Sequence, residues 1–306
     1  MPIPLITNPH YSYTFPNSHR FPMEKFGLLE QLCRDKGWLT QKNTFRPGTA
    51  KMALLEQAHC RDYLSRFIDN KQTKQEIRRM GLPWSEGLRK RTLISPNGTF
   101  LTAQLALKNG IACHLAGGTH HAHYDFASGF CILNDLAITA KALVAQKKVN
   151  KVLIFDCDVH QGDGTASILE RDPTIFTCSI HCAKNFPARK AKSDLDVELA
   201  IDITEKTYLD TVESTLDNLL RTQQPDLVIY DAGVDIFAGD PLGLLSISEA
   251  GIQKREHLVL DRCKQAAIPV ATVIGGGYDD DRAALARRHS YIIEAAYGIF
   301  HIGLQA

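Results

Sequence analysis

The feature that most constrains the fold is an alternation of short apolar runs with segments of helical periodicity, which begins near residue 101 of the 306-residue chain. The apolar runs cover residues 111–117, 151–158, 175–180, 227–232 and 270–274. The helical segments cover residues 100–109, 132–147, 205–222, 248–267 and 280–300. Nearly continuous apolar strands that alternate with helices are typical of a parallel sheet buried on both faces. The sequence therefore predicts an α/β protein with one central, mostly parallel sheet and helices on both faces.

The remainder of the sequence indicates how the chain is organised into domains. Residues before 101 look irregular, with helical patches only at 24–36 and 53–70. No repeat or linker interrupts the chain, so residues 1–306 are predicted to form a single domain.

A formal charge of +1 with scattered Lys and Arg argues against a nucleic-acid partner, and the basic stretch 78–91 is interpreted as a solvated face or loop. Eight cysteines without framework spacing, no signal peptide and no apolar run long enough for a membrane span favour a cytoplasmic location.

Polar residues gather where the second predicted strand ends. Asp156, Asp158 and His160 follow an apolar run in alternation, so their side chains can converge on one face. Three such groups at the carboxyl end of a buried strand are costly unless a ligand is present, and Asp and His are both metal ligands. A hydrogen-bonded strand end with a helix cap is the competing interpretation. The surrounding sequence favours a metal site.

Two other strand ends carry candidate chemistry. His120 and His121 follow a Gly-Gly turn, and they suit acid–base catalysis, although a surface pair or a metal-binding pair is also compatible. Asp235 lies just past the fourth predicted strand and could supply a third metal ligand, whereas Asp240 is interpreted as part of a turn without a chemical role. Tyr278 follows three glycines, where its neutral hydroxyl could donate to an oxyanion. A phosphate cradle is disfavoured there because three aspartates come next.

These residues lie in ordered blocks that resemble the histone deacetylase family. The blocks are GGTHHAHYDFASGFCILND at 117–135, IFDCDVHQGDG at 154–164, a Ser-Ile-His strand end at 179–181, AGVDIFAGDP at 232–241 and GGGY at 275–278. Segments RFPM at 20–23, LPWSEGL at 82–88 and LGLLSIS at 242–248 most resemble the class IV branch and its bacterial relatives. The resemblance implies an arginase-like α/β deacetylase fold.

The resemblance also implies a role for individual residues. The zinc ligands would be Asp158, His160 and Asp235, and the active-site histidines His120 and His121 would be held by Asp156 and Asp163, with Tyr278 as the catalytic tyrosine. Gly129, Phe130, Phe186 and Leu242 would line the acyl-lysine tunnel. Asp156, Asp158, His160, Ser179 and Ile180 would surround a structural K⁺ or Na⁺. The catalytic ion would be one Zn²⁺, with Fe²⁺ an alternative in the cell.

The activity that follows is zinc-dependent hydrolysis of acyl-lysine amides, with acetyl or longer acyl groups and a protein or small acylated amine as the substrate. Deacylation of acetylpolyamines or other small amides is the alternative, and the class IV likeness favours tolerance of long acyl chains. A dimanganese ureohydrolase is disfavoured because the bridging aspartates for a second metal are missing. A catalytically inactive acyl-lysine reader is disfavoured because both histidines, the tyrosine and all three metal ligands are present.

The sequence departs from the family pattern at two places. Gln161 replaces a second His that is common in relatives. The rim aspartate that holds peptide substrates has no counterpart near Gly81, Leu82 or Glu86, and the sequence predicts no oligomeric state.

Overall fold

The computed structural model describes residues 2–16 and 18–300, and within them eight strands form one sheet in which every pairing is parallel. The strands are β1 (Leu5–Ile6), β2 (Thr44–Phe45), β3 (Ile111–His114), β4 (Val152–Asp156), β5 (Ile175–Cys182), β6 (Leu195–Leu199), β7 (Leu227–Asp231) and β8 (Val270–Val273). Their spatial order is β2-β1-β3-β8-β7-β4-β5-β6. The predicted parallel α/β architecture is confirmed.

Ten α-helices accompany the strands in the described part of the chain. They are α1 (Lys25–Asp35), α2 (Met52–Leu55), α3 (Arg61–Ile68), α4 (Lys74–Met80), α5 (Glu86–Asn109), α6 (Asp135–Ala145), α7 (Asp163–Leu169), α8 (Glu205–Gln223), α9 (Glu249–Gln265) and α10 (Arg282–Phe300). Helices α1, α10, α9 and α8 pack side by side as one group, and α5, α6 and α7 pack as another. The sheet between them is buried on both faces, as its apolar strands require.

The five predicted strands are present, but the sequence missed three others. β1 and β2 have two residues each, and β6 (LDVEL) lies at the edge of the sheet, where four of its five residues are at least partly exposed. A half-exposed edge strand does not show the apolar run by which the buried strands were recognised.

The region before residue 101 is less irregular than predicted. Helix α5 begins at Glu86 rather than near residue 100, because Ser85 caps it by accepting a hydrogen bond from the Leu88 N–H group, and it continues through Pro96. The basic stretch 78–91 covers the end of α4, the connection at 81–85 and the start of α5, and Arg91 is buried against Phe26 rather than solvated. The prediction of a wholly solvated face or loop was therefore wrong for Arg91.

The sheet places the functional candidates at one edge. Strands β3, β8, β7 and β4 are consecutive neighbours in the sheet, in that order. All four are buried along their whole length. Because all strands are parallel, the segments that follow them emerge at the same edge, where α/β sheets bind ligands. All eight cysteines are unpaired. Among the described helices, none is sufficiently long and apolar to span a bilayer.

Candidate active site

The three predicted metal ligands meet at the carboxyl edge of the sheet. His160 Nδ1 lies 3.0 Å from Asp158 Oδ1 and 3.1 Å from Asp235 Oδ2, although Asp235 is 75 residues away in the chain. The donor atoms of all three lie within 4.8 Å of one another, and all three side chains are buried. Two backbone amides fix the carboxylates: Gly276 N–H donates to Asp158 Oδ2 (2.7 Å) and Val159 N–H to Asp235 Oδ1 (2.9 Å).

The charges of this Asp–His–Asp group fit a divalent cation. Burial opposes the charged forms, yet the two aspartates raise the pKa of His160 to about 10, so the carboxylates retain a proton on the imidazole. Burial and the neighbouring Asp158 raise the pKa of Asp235 to about 7. A bound cation would stabilise the two buried carboxylates, which otherwise repel each other in a site without water. Imidazole nitrogen and carboxylate oxygen are the ligands of zinc and of related metals. The residues present therefore fit a metal ion.

The two adjacent histidines are each held by one aspartate. His120 Nδ1 lies 2.7 Å from Asp156 Oδ2, and His121 Nδ1 lies 2.6 Å from Asp163 Oδ1, with the two rings 4.1 Å apart. Both histidines are buried, but their pKa values are shifted in opposite directions. Although burial opposes protonation, Asp156 and Asp158 hold the pKa of His120 well above its usual value. Burial and the charge of His120 lower the pKa of His121 to about 4. Of this pair, His120 therefore holds a proton more tightly than a free imidazole does, and His121 holds one less tightly.

His123 is a functional candidate that the sequence analysis left unassigned. Its Nε2 lies 3.1 Å from Asp163 Oδ2, so the two oxygens of Asp163 are shared between His121 and His123. Although burial acts in the opposite direction, these two histidines hold the pKa of Asp163 below its usual value. The His-x-His spacing at 121–123 was the available signal.

Asp231 is the second residue that sequence reasoning missed. It ends β7 directly opposite Asp156, which ends β4, and its carboxylate lies within 4.8 Å of donor atoms of His120 and Asp156. It is fully buried, and neither oxygen has a hydrogen-bond partner among the described residues. Burial and the charge of Asp156 raise its pKa well above its usual value. Its position at a strand end, like that of Asp156, was a usable signal.

Tyr278 is positioned through its backbone and through the glycine loop before it. Its N–H donates to Asp240 Oδ2 (2.8 Å), and Asp240 Oδ1 also accepts the amides of Leu242 and Gly243. The turn predicted at Asp240 is present, but the residue also anchors Tyr278. Lys25, another missed residue, is buried and donates to the Gly275 carbonyl at 3.1 Å, 250 positions away. Burial raises the pKa of Tyr278 well above its usual value, so its hydroxyl remains neutral.

The predicted tunnel residues line one cavity above the Asp–His–Asp group. Gly129, Phe130, Phe186 and Leu242 all contribute to a cavity of about 420 Å³ that reaches His121, His160 and Tyr278 at its base. Asn185, which was not predicted, also lines the cavity; its side chain donates to the Leu242 carbonyl (2.7 Å). A smaller cavity of about 30 Å³ lies behind the histidines, next to Lys25 and Arg91.

The proposed monovalent-cation residues lie on neighbouring strands. Ser179 pairs with Asp156 in the β4–β5 register, and Asp158 N–H donates to Asp156 Oδ1 (3.0 Å). Ile180 follows Ser179 in β5, and Ser179 Oγ lies 3.0 Å from His181 Nδ1. The structure thus brings Asp156, Asp158 and Ser179 together, and a cation bound there stays a prediction.

The parallel sheet, the buried Asp–His–Asp group at its carboxyl edge and the two aspartate-held histidines beside that group together form an arrangement suited to a metal-dependent hydrolase of the α/β class. Comparison with known proteins identifies the family. Residues 19–295 match the model of the histone deacetylase domain, and the chain belongs to the histone deacetylase family.

Similar proteins come from bacteria and plants. An uncharacterised protein of Picosynechococcus sp. is 46% identical over 98% of this chain and 100% of its own length. Histone deacetylase 2 of Arabidopsis thaliana is 30% identical over 85% of this chain and 70% of its own. The acetoin utilization protein AcuC of Staphylococcus xylosus is 26% identical over 94% and 80%. A histone deacetylase homologue from Aquifex aeolicus superposes with a TM-score of 0.82, at 21% identity, over 97% of this chain and 84% of its own. The deacetylase fold is therefore confirmed, and the family's activity is metal-dependent deacetylation of acylated substrates.

Proposed function

We propose that this protein is a zinc-dependent amidohydrolase that removes a short acyl group from the side-chain amide of lysine. The observation that carries the proposal is the pair of aspartate-bound histidines, His120 with Asp156 and His121 with Asp163, at the base of a largely apolar cavity beside the Asp158–His160–Asp235 group. An apolar passage with a polar end suits the methylene stem and amide of an acylated lysine.

Each residue has a role that follows from its contacts. Asp158, His160 and Asp235 would hold a zinc ion, or Fe²⁺, which when bound would lower the pKa of water and polarise a carbonyl group. His121, neutral and oriented by Asp163, accepts the proton of the attacking water and returns it to the leaving amine. His120, whose pKa is raised and whose ring is held by Asp156, stabilises negative charge that develops next to it. Tyr278 donates a hydrogen bond from its neutral hydroxyl to the carbonyl oxygen as that oxygen becomes negative.

The size of the inner cavity favours acetyl over long acyl groups. A volume of about 30 Å³ behind the histidines accommodates only one or two water-sized groups. A methyl group fits that space, whereas a fatty acyl chain would require the surrounding backbone of Gly118 and Gly275 to move. Tolerance of long chains, which the class IV likeness implies, is therefore not part of this proposal.

Hydrolysis of small amides is the second candidate, because the cavity of about 420 Å³ that leads to His121 and Tyr278 has room for several kinds of substrate. The polyamine version of it has less support, since a polycation requires carboxylates at the entrance and none of the cavity-lining residues is acidic. The cytoplasmic location and the bound K⁺ or Na⁺ also stay predictions.

The test is a hydrolysis assay with metal-loaded protein on acetyl-, butyryl- and myristoyl-lysine peptides and on acetylpolyamines, combined with metal analysis of the purified protein. We expect turnover of acetyl-lysine, little of myristoyl-lysine, and one zinc or iron per chain. Asp163→Asn should retain the metal but slow turnover, because the amide orients His121 without its charge. If none of these substrates is hydrolysed by metal-loaded protein, the proposal fails.

A further inference from the structure

We propose that the entrance of the large cavity selects acylated amines that carry a carboxylate close to the scissile amide, and that Arg20 and Arg79 recognise this carboxylate. The inference rests on the proposed deacetylase function and specifies its substrate class. It concerns the entrance only, and not the groups at the base of the cavity.

The entrance has positive charge and no acidic group of its own. Arg20 and Arg79 both line the cavity and both are exposed, while no Asp or Glu is among the lining residues. Within the described chain, neither guanidinium has a carboxylate oxygen within 4.0 Å. Most other arginines of this protein are paired with acidic side chains, as Arg66 is with Glu76. Two unpaired guanidiniums at one opening therefore provide an anion-binding entrance.

Arg79 is held in place by a series of ring contacts. Its guanidinium lies over the ring of Phe126 at 4.5 Å, and Phe126 stacks on His123 at 4.2 Å. His123 is in turn bound to Asp163, which orients His121. This stacking limits the rotamers of Arg79, so less entropy is lost when it binds a ligand.

Arg20 is held through its two neighbours in the chain. His19 Nε2 donates to the Gly81 carbonyl at 2.8 Å, and the ring of Phe21 packs on Phe130 at 5.6 Å between centroids. The backbone of Arg20 is therefore fixed beside the same wall of the cavity that Phe130 forms. Gly81 directly follows the last residues of α4, where Arg79 lies, so the two arginines flank one opening.

A carboxylate is the matching ligand because the planar guanidinium binds it through two parallel hydrogen bonds. It could be an acidic side chain next to an acetyl-lysine in a protein, or the α-carboxylate of free acetyl-lysine. Exposed ion pairs are weak, so two of them together should favour an anionic substrate over a cationic one by roughly 2- to 20-fold in kcat/KM at low salt. The same charges disfavour polyamines and lysine-rich tails.

The experiment compares two acetyl-lysine peptides of equal length, one with glutamates and one with lysines on both sides of the acetyl-lysine. Free acetyl-lysine and its α-amide test the small-molecule source. We expect the glutamate peptide to have the higher kcat/KM, and the difference to shrink at high salt because exposed charges are screened. If free acetyl-lysine exceeds its amide, the small-molecule source is supported as well.

The double variant R20E/R79E should reverse the preference, while R20K/R79K should retain it in weaker form. The matched control is K108E/R221E, which makes the same change in net charge at exposed positions just before β3 and β7, on the opposite edge of the sheet. It should retain the wild-type preference. R20E alone provides a test if R79E disturbs the Phe126 stack and the protein does not fold.

Equal kcat/KM for the two peptides with wild-type protein, or a preference for the lysine peptide, would overturn the inference while leaving the deacetylase function intact. A preference lost equally in K108E/R221E would also overturn it, because net charge and not the entrance would then be responsible. Absence of turnover on every substrate would refute the proposed function itself, and this inference with it.

Discussion

Replacement of Gly276 by alanine offers a sharp test of the metal site, because it disturbs the ligands without removing any of them. A Cβ atom at position 276 would lie 2.0 Å from Asp235 Oδ2 and 2.5 Å from Asp158 Oδ2. Real Cβ contacts shorter than 3.0 Å essentially never occur, so at least one carboxylate oxygen must move by about an ångström. Metal–ligand distances tolerate deviations of only about 0.2 Å.

Loss of a group that merely orients metal ligands lowers metal affinity by about 10- to 100-fold. Displacement of one or both carboxylate ligands by G276A should do at least as much. The assay is zinc bound per chain after dialysis against a competing chelator, together with the thermal midpoint of the metal-free protein. The matched control is G298A, since a Cβ on Gly298 in α10 meets nothing within 4 Å. G298A should bind metal normally and, in a helix, gain about 0.5–1 kcal/mol of stability. Wild-type zinc affinity in a folded G276A protein would show that Asp158 and Asp235 are not joint ligands.

Three further predictions follow from the same structure. Tyr278→Phe should keep the fold and the bound metal but reduce kcat by about 10²–10³, the usual effect of losing one oxyanion donor; wild-type turnover would exclude that role. Asp231→Asn should raise the thermal midpoint of metal-free protein, because it replaces a buried carboxylate without partners by a neutral group of the same shape; an unchanged or lower midpoint would contradict this. Burial lowers the pKa of His59 to about 4, and its Nε2 accepts the Asn134 N–H group at 2.8 Å, so the native state prefers the neutral ring. The free energy of unfolding should therefore fall by up to about 3 kcal/mol as the pH drops from 6.5 to 4, with a smaller fall in His59→Gln, as urea titrations across this range would measure.

The parts of the site that the sequence predicted are those attached to strong local patterns. Asp158 and His160 follow an apolar run, and Asp235 and Tyr278 each follow another. In a parallel sheet those runs all end at one edge, so the residues after them converge even when they are 75 positions apart. The strand pattern thus carries long-range information without any knowledge of individual contacts.

The residues that were missed depend on contacts for which no local pattern exists. Lys25, in helix α1, donates a hydrogen bond to Gly275 in the glycine loop, 250 positions away in the chain. The periodicity of α1 indicates that Lys25 is in a helix but does not indicate which residue it contacts. Arg91 belonged to a basic stretch that reads as solvated, yet it is buried in contact with Phe26. Edge strands such as β6 were missed for a related reason, since partial exposure removes the apolar signal.

The missed residues also change the electrostatic picture of the cavity. At its base, Asp231 adds a fourth buried carboxyl group to Asp156, Asp158 and Asp235, but its raised pKa keeps it from adding a full negative charge there. At its entrance, Arg20 and Arg79 add exposed positive charge. An acylated amine is neutral at the amide that enters the interior, and a carboxylate nearby on the substrate would remain at the entrance. Selection by charge therefore falls to the entrance, whereas the groups at the base act on an amide that is neutral in every substrate.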